Sequence, residues 1–436
     1  MADAQESDNV STKSQRIAEL ARAHPQRSFT SLAHHMDMDW MRAAYRHVRK
    51  TGAVGVDGVT AATYEQALEA NLADLLERLK SGRYRAPPVR RVHIPKGDGR
   101  SRPIGIPALE DKIAQRAVAM ALEPLYEQDF RDCSYGFRPG RGPQKAVHEL
   151  WQTLQQWGGA WVIELDIAAF FDELDQTELR RLLDERVRDG VLRRLIDKWL
   201  KAGVIEDGQW SRPTSGTPQG GVLSPLLANV YLHYVLDRWF EDEVRPRLHG
   251  RGALFRFADD GVLVFASERD ARRVMEVLPR RFARFGLRLH PEKTRLLRFR
   301  PRTTRSQAPG EPRRFDFLGF RFYWARGRHG RWCVMTKTAP DRLQRFLNRV
   351  QWYCRRYRHR PIGEQHQQLS WMLRGHFNYF GRPGNRWALA RARYHTNRIW
   401  AYWLGKRSQR RLSWRRAERL LRVFWLPPAR TAYSTT

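Results

Sequence analysis

Apolar residues recur along this chain in two rhythms, and the alternation between them sets out most of its elements. Over 36–50 and 64–80 they return every three or four positions, which predicts two helices flanking the Gly-rich stretch GAVGVDGVTAATY. Val89–Pro95 and 103–107 alternate instead, with Val92, Ile94, Ile104 and Ile106 on the apolar side of a hairpin turning at Gly97-Asp98-Gly99. Helices are predicted over 108–130 and 144–156, with SYGFRPGRG as the loop between them. A strongly apolar strand follows at 160–167, then helices to about 202. Residues 254–265 read as two strands joined at Asp259-Asp260, and a helix covers 269–285. Strands at 315–324 and 332–335 precede a helical pattern that runs from 340 to the end. Strands mixed with helices in this way predict an α+β fold.

Composition then narrows the class. The chain has 436 residues, enough for two or three domains, and its 42% hydrophobic and 11% aromatic content excludes a wholly disordered protein. Its net charge of +33 calls for an acidic polymer as partner, and nucleic acid is the first to consider. The charge is unevenly spread. Residues 301–436 hold 31 Lys and Arg against 5 Asp and Glu, and nine of the 16 Trp, so cations and aromatic anchors interleave there. The Arg-, Pro- and Thr-rich segment 298–314 coincides with the change and reads as a linker. Three scattered cysteines support neither a disulfide framework nor a four-ligand zinc site, and no secretory leader or membrane-spanning run is legible, so a cytoplasmic chain is expected.

Candidate chemistry sits in two apolar segments. FRFADDGVLVF puts adjacent carboxylates, Asp259 and Asp260, between two strands, and WVIELDI closes another strand with Asp166. Neighbouring carboxylates repel one another unless a cation lies between them. If the strands lie side by side, Asp166, Asp259 and Asp260 offer the hard oxygen ligands Mg²⁺ prefers, in the two-ion arrangement of nucleotidyl transfer. Asp-Asp-Gly is equally at home as a plain hairpin turn. The hairpin HIPKGDGRSRPIGIP carries Lys96 and Arg102, with Arg100 on the same face as Arg102, and these cations suit a polyphosphate or simply decorate a surface.

The ordered set VGVDGVT, HIPKGDGRSRPIGIPALEDKIAQ, SYGFRPGRG, LDIAAFFDELD, TPQGGVLSPLLANVYL, FADD, LRLHPEKT, FDFLGFRF and LRGHFNYFG resembles the reverse transcriptase/maturase proteins encoded by bacterial group II introns, from about Arg27 to the C-terminus. Residues 1–26 lie before it and are expected to be mobile. The resemblance implies a right-hand polymerase: an N-terminal extension and fingers over 27–158, a palm over 159–335 and a basic helical thumb/maturase region over 336–436. It implies RNA-directed DNA synthesis with two Mg²⁺ ions, Mn²⁺ being an alternative. Asp166 and Asp259 would be ligands, with the Ile167 carbonyl, and Asp260 would share the site. Lys96 and Arg102 would bind the triphosphate of a dNTP, Phe171 would exclude a 2′-hydroxyl, and Gln219 would sit near the nascent base pair. Lys293 matches a position near the active hairpin. RNA template, intron RNA and a DNA primer or target are the implied partners, and no membrane.

The chain departs from the family pattern in places. Phe257 stands where Tyr usually precedes Ala-Asp-Asp, Ile-Ala-Ala follows Asp166 without a basic residue, and His376 replaces a common Trp. No Cys/His cluster of an HNH endonuclease is present, so target cleavage is not expected. Two other readings share these motifs: a free-standing group-II-like reverse transcriptase in defence or repair, and an inactive RNA-binding splicing factor.

Overall fold

In the computed structural model, residues 2–95, 101–206, 209–211, 216, 220–301, 314–327, 329–407 and 413–431 are described. The chain begins with α1 (Ala2–Ala23), where a mobile segment was expected; Ile17 and Ala21, one turn apart, are buried, and this short stripe is what the polar sequence around it conceals. Then come α2 (Met38–His47), α3 (Ala61–Glu65) and α4 (Leu68–Ser81), the hairpin β1 (Val89–Pro95) and β2 (Ser101–Ile106), and α5 (Leu109–Asp129). Asp37 caps α2 by accepting from Trp40 N at 3.1 Å. Next are α6 (Pro143–Trp157), β3 (Ala160–Asp166), α7 (Phe170–Glu173), α8 (Gln176–Asp184) and α9 (Gly190–Leu200). Two short strands absent from the sequence reading, β4 (Val204–Glu206) and β5 (Gln209–Ser211), extend the hairpin into a sheet of order β2-β1-β4-β5.

The apolar helix α10 (Ser224–Leu232) widens into π-helical turns over His233–Asp237 and Trp239–Val244. The remaining elements are β6 (Gly252–Phe257), β7 (Asp260–Phe265), α11 (Glu268–Ala283), β8 (Arg295–Phe299), β9 (Arg314–Phe317), β10 (Phe320–Arg326), β11 (Trp332–Thr338), α12 (Pro340–Arg356), α13 (Ile362–Phe380), α14 (Arg386–Leu404) and α15 (Trp414–Val423). They divide into two compact units, residues 1–142, 163–263 and 267–295, and residues 143–162, 264–266 and 296–436. Among the described residues, no helix is long and apolar enough to cross a membrane.

In the first unit α5 is buried along most of its length, and β6 with residues 260–263 of β7 and 163–166 of β3 supplies the platform. Part of the expected SYGFRPGRG loop pairs with β6: Tyr135 N donates to Arg256 O and Arg256 N to Cys133 O, each at 2.8 Å. Arg256 points inward with no solvent access, and each of its five N–H groups has an acceptor. Nε and Nη2 reach the two Asp237 oxygens at 2.6 and 2.5 Å, Nη1 reaches Asn229 Oδ1 and the Ala258 carbonyl at 3.0 Å each, and Nη2 reaches Ser134 Oγ at 2.7 Å. Burial opposes the guanidinium charge, and the Asp237 carboxylate outweighs it, holding the pKa above its ordinary value.

The second unit contains the sheet β11-β10-β9, against which α6 is fastened by Trp151 Nε1 donating to Val334 O at 2.7 Å. The sequence reading took 315–324 as one strand. It is two, because Leu318 and Gly319 both take positive φ, as a two-residue primed turn requires. Among the helices, buried Trp400 donates to Gln365 Oε1 at 3.0 Å, and buried Asn385 ties the backbone of Thr338 to the Phe380 carbonyl. His376 packs between Phe346 and Phe380, with ring centroids 4.4 and 4.8 Å away, and burial pushes its pKa down to about 4.

Two stability predictions follow from these cores. Removing one member of the buried ion pair, as in Asp237→Ala, leaves an uncompensated charge and lowers urea-denaturation stability by roughly 3–5 kcal/mol, while Arg256→Met with Asp237→Leu recovers part of the loss. His376 is held neutral in the folded chain and titrates normally when unfolded, so its contribution is present above about pH 6.5 and is lost as pH falls toward 4. At about 1.4 kcal/mol per pKa unit this amounts to roughly 3 kcal/mol. His376→Phe should lessen the decline between pH 7 and 4 by that amount; equal decline in both proteins would refute it.

Candidate active site

β3 delivers Asp166 at its last residue, half-buried, with a fixed backbone. Its carbonyl accepts from His290 N at 2.8 Å and Thr294 Oγ1 at 3.2 Å, while its own N–H reaches Thr294 Oγ1 at 3.4 Å. Ile167, buried, bridges to Leu289, and Ala168 N donates to Arg288 O at 2.8 Å. The same 288–294 segment carries Lys293, whose Nζ lies 3.2 Å from Asp166 Oδ2. The sequence reading pointed to Lys293; the structure pairs it directly with the first aspartate.

Past Ala169, which takes a positive φ of 42°, the chain enters α7 and separates the two phenylalanines. Phe170 enters the core, edge-on to Tyr231 with centroids 6.3 Å apart, whereas Phe171 stays half-buried. Gly216 approaches so closely that a Cβ there would fall 2.5 Å from the Phe171 carbonyl oxygen, so the loop needs glycine to pass.

The turn between β6 and β7 falls at Ala258-Asp259, one residue earlier than the sequence suggested, because Ala258 takes the left-handed conformation (φ 55°). Asp259 is half-buried in the turn, and Asp260 opens β7 and is exposed. Gly136 braces the turn: a Cβ there would lie 2.5 Å from Ala258 N. Gly261 sits so near Leu165 that an added Cβ would lie 3.1 Å from Leu165 Cδ2, which brings the start of β7 beside the end of β3. Burial raises the Asp259 pKa, and the charge of Asp166 adds to that, while Arg102 and Arg256 oppose it. Arg102 extends from β2, exposed, opposite Ile94. Lys96, Arg100 and Gln219 lie outside the described residues; Gly220, next to Gln219, takes φ 113° against the Gly105 carbonyl of β2.

The charge of Asp166 thus acts on Asp259, and the oxygens of both are the donors a hard divalent cation takes. Burial first, and then the charge of Asp166, raises the Asp259 pKa, and a bound cation would offset both. Among the described residues, no group of three or more His, Cys, Asp or Glu side chains is gathered closely enough to hold an ion alone. An ion here would draw the rest of its shell from water and substrate phosphate, which is how Mg²⁺ is usually held.

Sequence reasoning missed the supports of this site: Arg256, Asp237, Asn229, Gly136, Thr294 and His290. One signal was available, since Arg256 interrupts an apolar strand where a charge is tolerated only if fully paired. The partner 19 residues away on a π-helical turn left no local trace.

Comparison with known proteins places the chain in a family. The family described as reverse transcriptase (RNA-dependent DNA polymerase) matches residues 94–322. Protein YkfC of Escherichia coli strain K12 is 35% identical over 67% of this chain and 81% of its own length. The group II intron-encoded protein LtrA of Lactococcus lactis subsp. cremoris is 38% identical over 50% of this chain, yet only 37% of LtrA is covered. Nuclear intron maturase 1, mitochondrial, of Arabidopsis thaliana is 26% identical over 32% of the chain and 26% of its own length. With a family match spanning more than half its residues, the chain belongs to the reverse transcriptase family of RNA-dependent DNA polymerases, and within it is group II-like.

Proposed function

We propose that the chain extends a primer 3′-hydroxyl with dNTPs on an RNA template at a site built on Asp166, Asp259 and Asp260, and that it assists a group II intron as a maturase. The observation that carries the reading is the placement of Asp166 at the end of β3 and of Asp259 and Asp260 at the start of the neighbouring strand β7. In this reading the fold is a right hand, with fingers over 27–158, a palm over 159–335 and a thumb beyond 336.

The 3′-hydroxyl gives up its proton to solvent as its oxygen bonds to the α-phosphorus, the bond from that phosphorus to the oxygen bridging to the β-phosphate breaks, and pyrophosphate leaves. Bound Mg²⁺, or Mn²⁺, would activate the hydroxyl as a Lewis acid and neutralise the leaving charge. Asp166 and Asp259, with the Ile167 carbonyl, would hold it, and Asp260 would complete the charge of the site. The rigid backbone around Asp166 favours this role, because positioning rather than side-chain nucleophilicity supplies most of the rate. Arg102 and Lys96 meet the triphosphate with charge-assisted hydrogen bonds. Phe171, half-buried beside its core neighbour Phe170, has the exposure needed to lie under a sugar and clash with a 2′-hydroxyl. Gln219 would lie near the nascent pair.

The basic region beyond residue 300 suits a template-primer duplex and intron RNA, whose A-form backbone is read through shape and phosphate. The intron in LtrA's name, and the word maturase in that of the Arabidopsis relative, support the splicing role.

Primer extension on an RNA template tests the catalytic reading. Each ligand contact is worth several kcal/mol in the transition state, so Asp166→Ala and Asp259→Ala should each lower the extension rate by roughly a thousandfold or more. Synthesis by either variant within a few-fold of the native chain would contradict the assignment.

A further inference from the structure

The second unit contains a cavity of about 440 Å³ between α12 and α13, apart from every residue assigned above. Its walls follow helical spacing. Arg349, Trp352 and Tyr353 share one face of α12, and Glu364, Gln367, Gln368 and Trp371 share the facing side of α13. The two tryptophans are not core residues. Whereas Trp400 in the same unit is fully buried, Trp352 is 60% and Trp371 54% exposed. Tyr357, at the turn between the helices, completes the aromatic wall, its ring 6.0 Å from Trp352 and 5.2 Å from Tyr353, with the Arg360 guanidinium 4.6 Å from its centroid.

We infer that this cavity receives a single unpaired nucleotide of a single-stranded nucleic acid, its base stacked on Trp352 and Trp371 and its phosphate met by Arg349 and Arg360. Large exposed aromatics beside arginines are what base stacking and backbone contact require together. The cavity lies in the size range of small-ligand pockets. Charge argues against a duplex. Glu364 lies 3.8 Å from Arg360, so the charged lining residues Arg349, Arg360 and Glu364 sum to one positive charge, too few for a row of phosphates. The same glutamate, with Gln367 and Gln368, provides acceptors and donors for a base edge left free by the absence of pairing.

The inference rests on the reading of this unit as a binder of nucleic acid, and not on the polymerase chemistry. The test measures anisotropy of a fluorescein-labelled unstructured RNA octamer, the matching DNA octamer and a blunt RNA duplex on the full chain. Trp352→Ala with Trp371→Ala should weaken octamer binding about tenfold or more, at 1–3 kcal/mol per stacked base, and leave duplex binding within twofold. Trp352→Phe with Trp371→Phe keeps the stacking faces and should retain most of the affinity. If the RNA octamer alone responds, the site reads RNA through its 2′-hydroxyl; if both respond, it accepts any single strand. Octamer binding unchanged in the alanine variant, equal loss on octamer and duplex, or equal loss in the phenylalanine variant would overturn the proposal. Failure of the native chain to bind even the duplex would overturn the reading of the unit itself.

Discussion

A guanidinium with no access to water is the constraint on which the rest of the site depends. Arg256 can be buried only because its five donors all find acceptors, and those acceptors come from four separate stretches of chain: Asp237, Asn229, Ser134 and the Ala258 carbonyl. Satisfying it draws α10, the π-helical turn, the segment beside β6 and the aspartate-bearing turn into one arrangement. Asn229 continues the network by donating to the Gly136 carbonyl at 2.7 Å, and Gly136 in turn abuts Ala258. The left-handed Ala258 that precedes Asp259 is therefore held from two sides.

Asp166 is fixed by a different device, backbone hydrogen bonds to the 288–294 segment, which also brings in Lys293. Two carboxylates on independently fixed stretches of backbone are thereby brought to the ends of neighbouring strands, where burial and the charge of Asp166 disfavour the ionised form of Asp259. A site of this kind is preorganised for charge rather than for covalent chemistry.

Much of this was legible in the sequence, and the limits have physical causes. Alternation revealed the β1-β2 hairpin, and continuous apolar runs on either side of the aspartates revealed the β6-β7 pair, whose second strand is buried from Gly261 to Phe265. The aspartates stood out because acidic residues seldom close apolar strands. The β9-β10 hairpin was hidden because its turn uses Leu318, a residue that belongs in strands, and only Gly319 betrays it. β4 and β5 are three residues each, too short for any period to show, and exist by pairing, β4 with β1 and β5 with β4. Helix α1 escaped because two small buried contacts, Ile17 and Ala21, are enough to seat it. The second unit takes in most of the basic third together with residues 143–162 and 264–266, a grouping that no charge count along the chain conveys. Interleaved Trp and Arg in that second unit divide into buried anchors such as Trp400 and exposed ones such as Trp352, a distinction no composition conveys.

The central claim is that Asp166 and Asp259 together hold a divalent cation. Mn²⁺ titration followed by electron paramagnetic resonance, with no nucleotide or primer present, tests it on the native chain, Asp166→Asn and Asp259→Asn. The account predicts a bound Mn²⁺ signal in the native chain that weakens at least about tenfold in affinity in each variant. Equal Mn²⁺ affinity in all three proteins would contradict it.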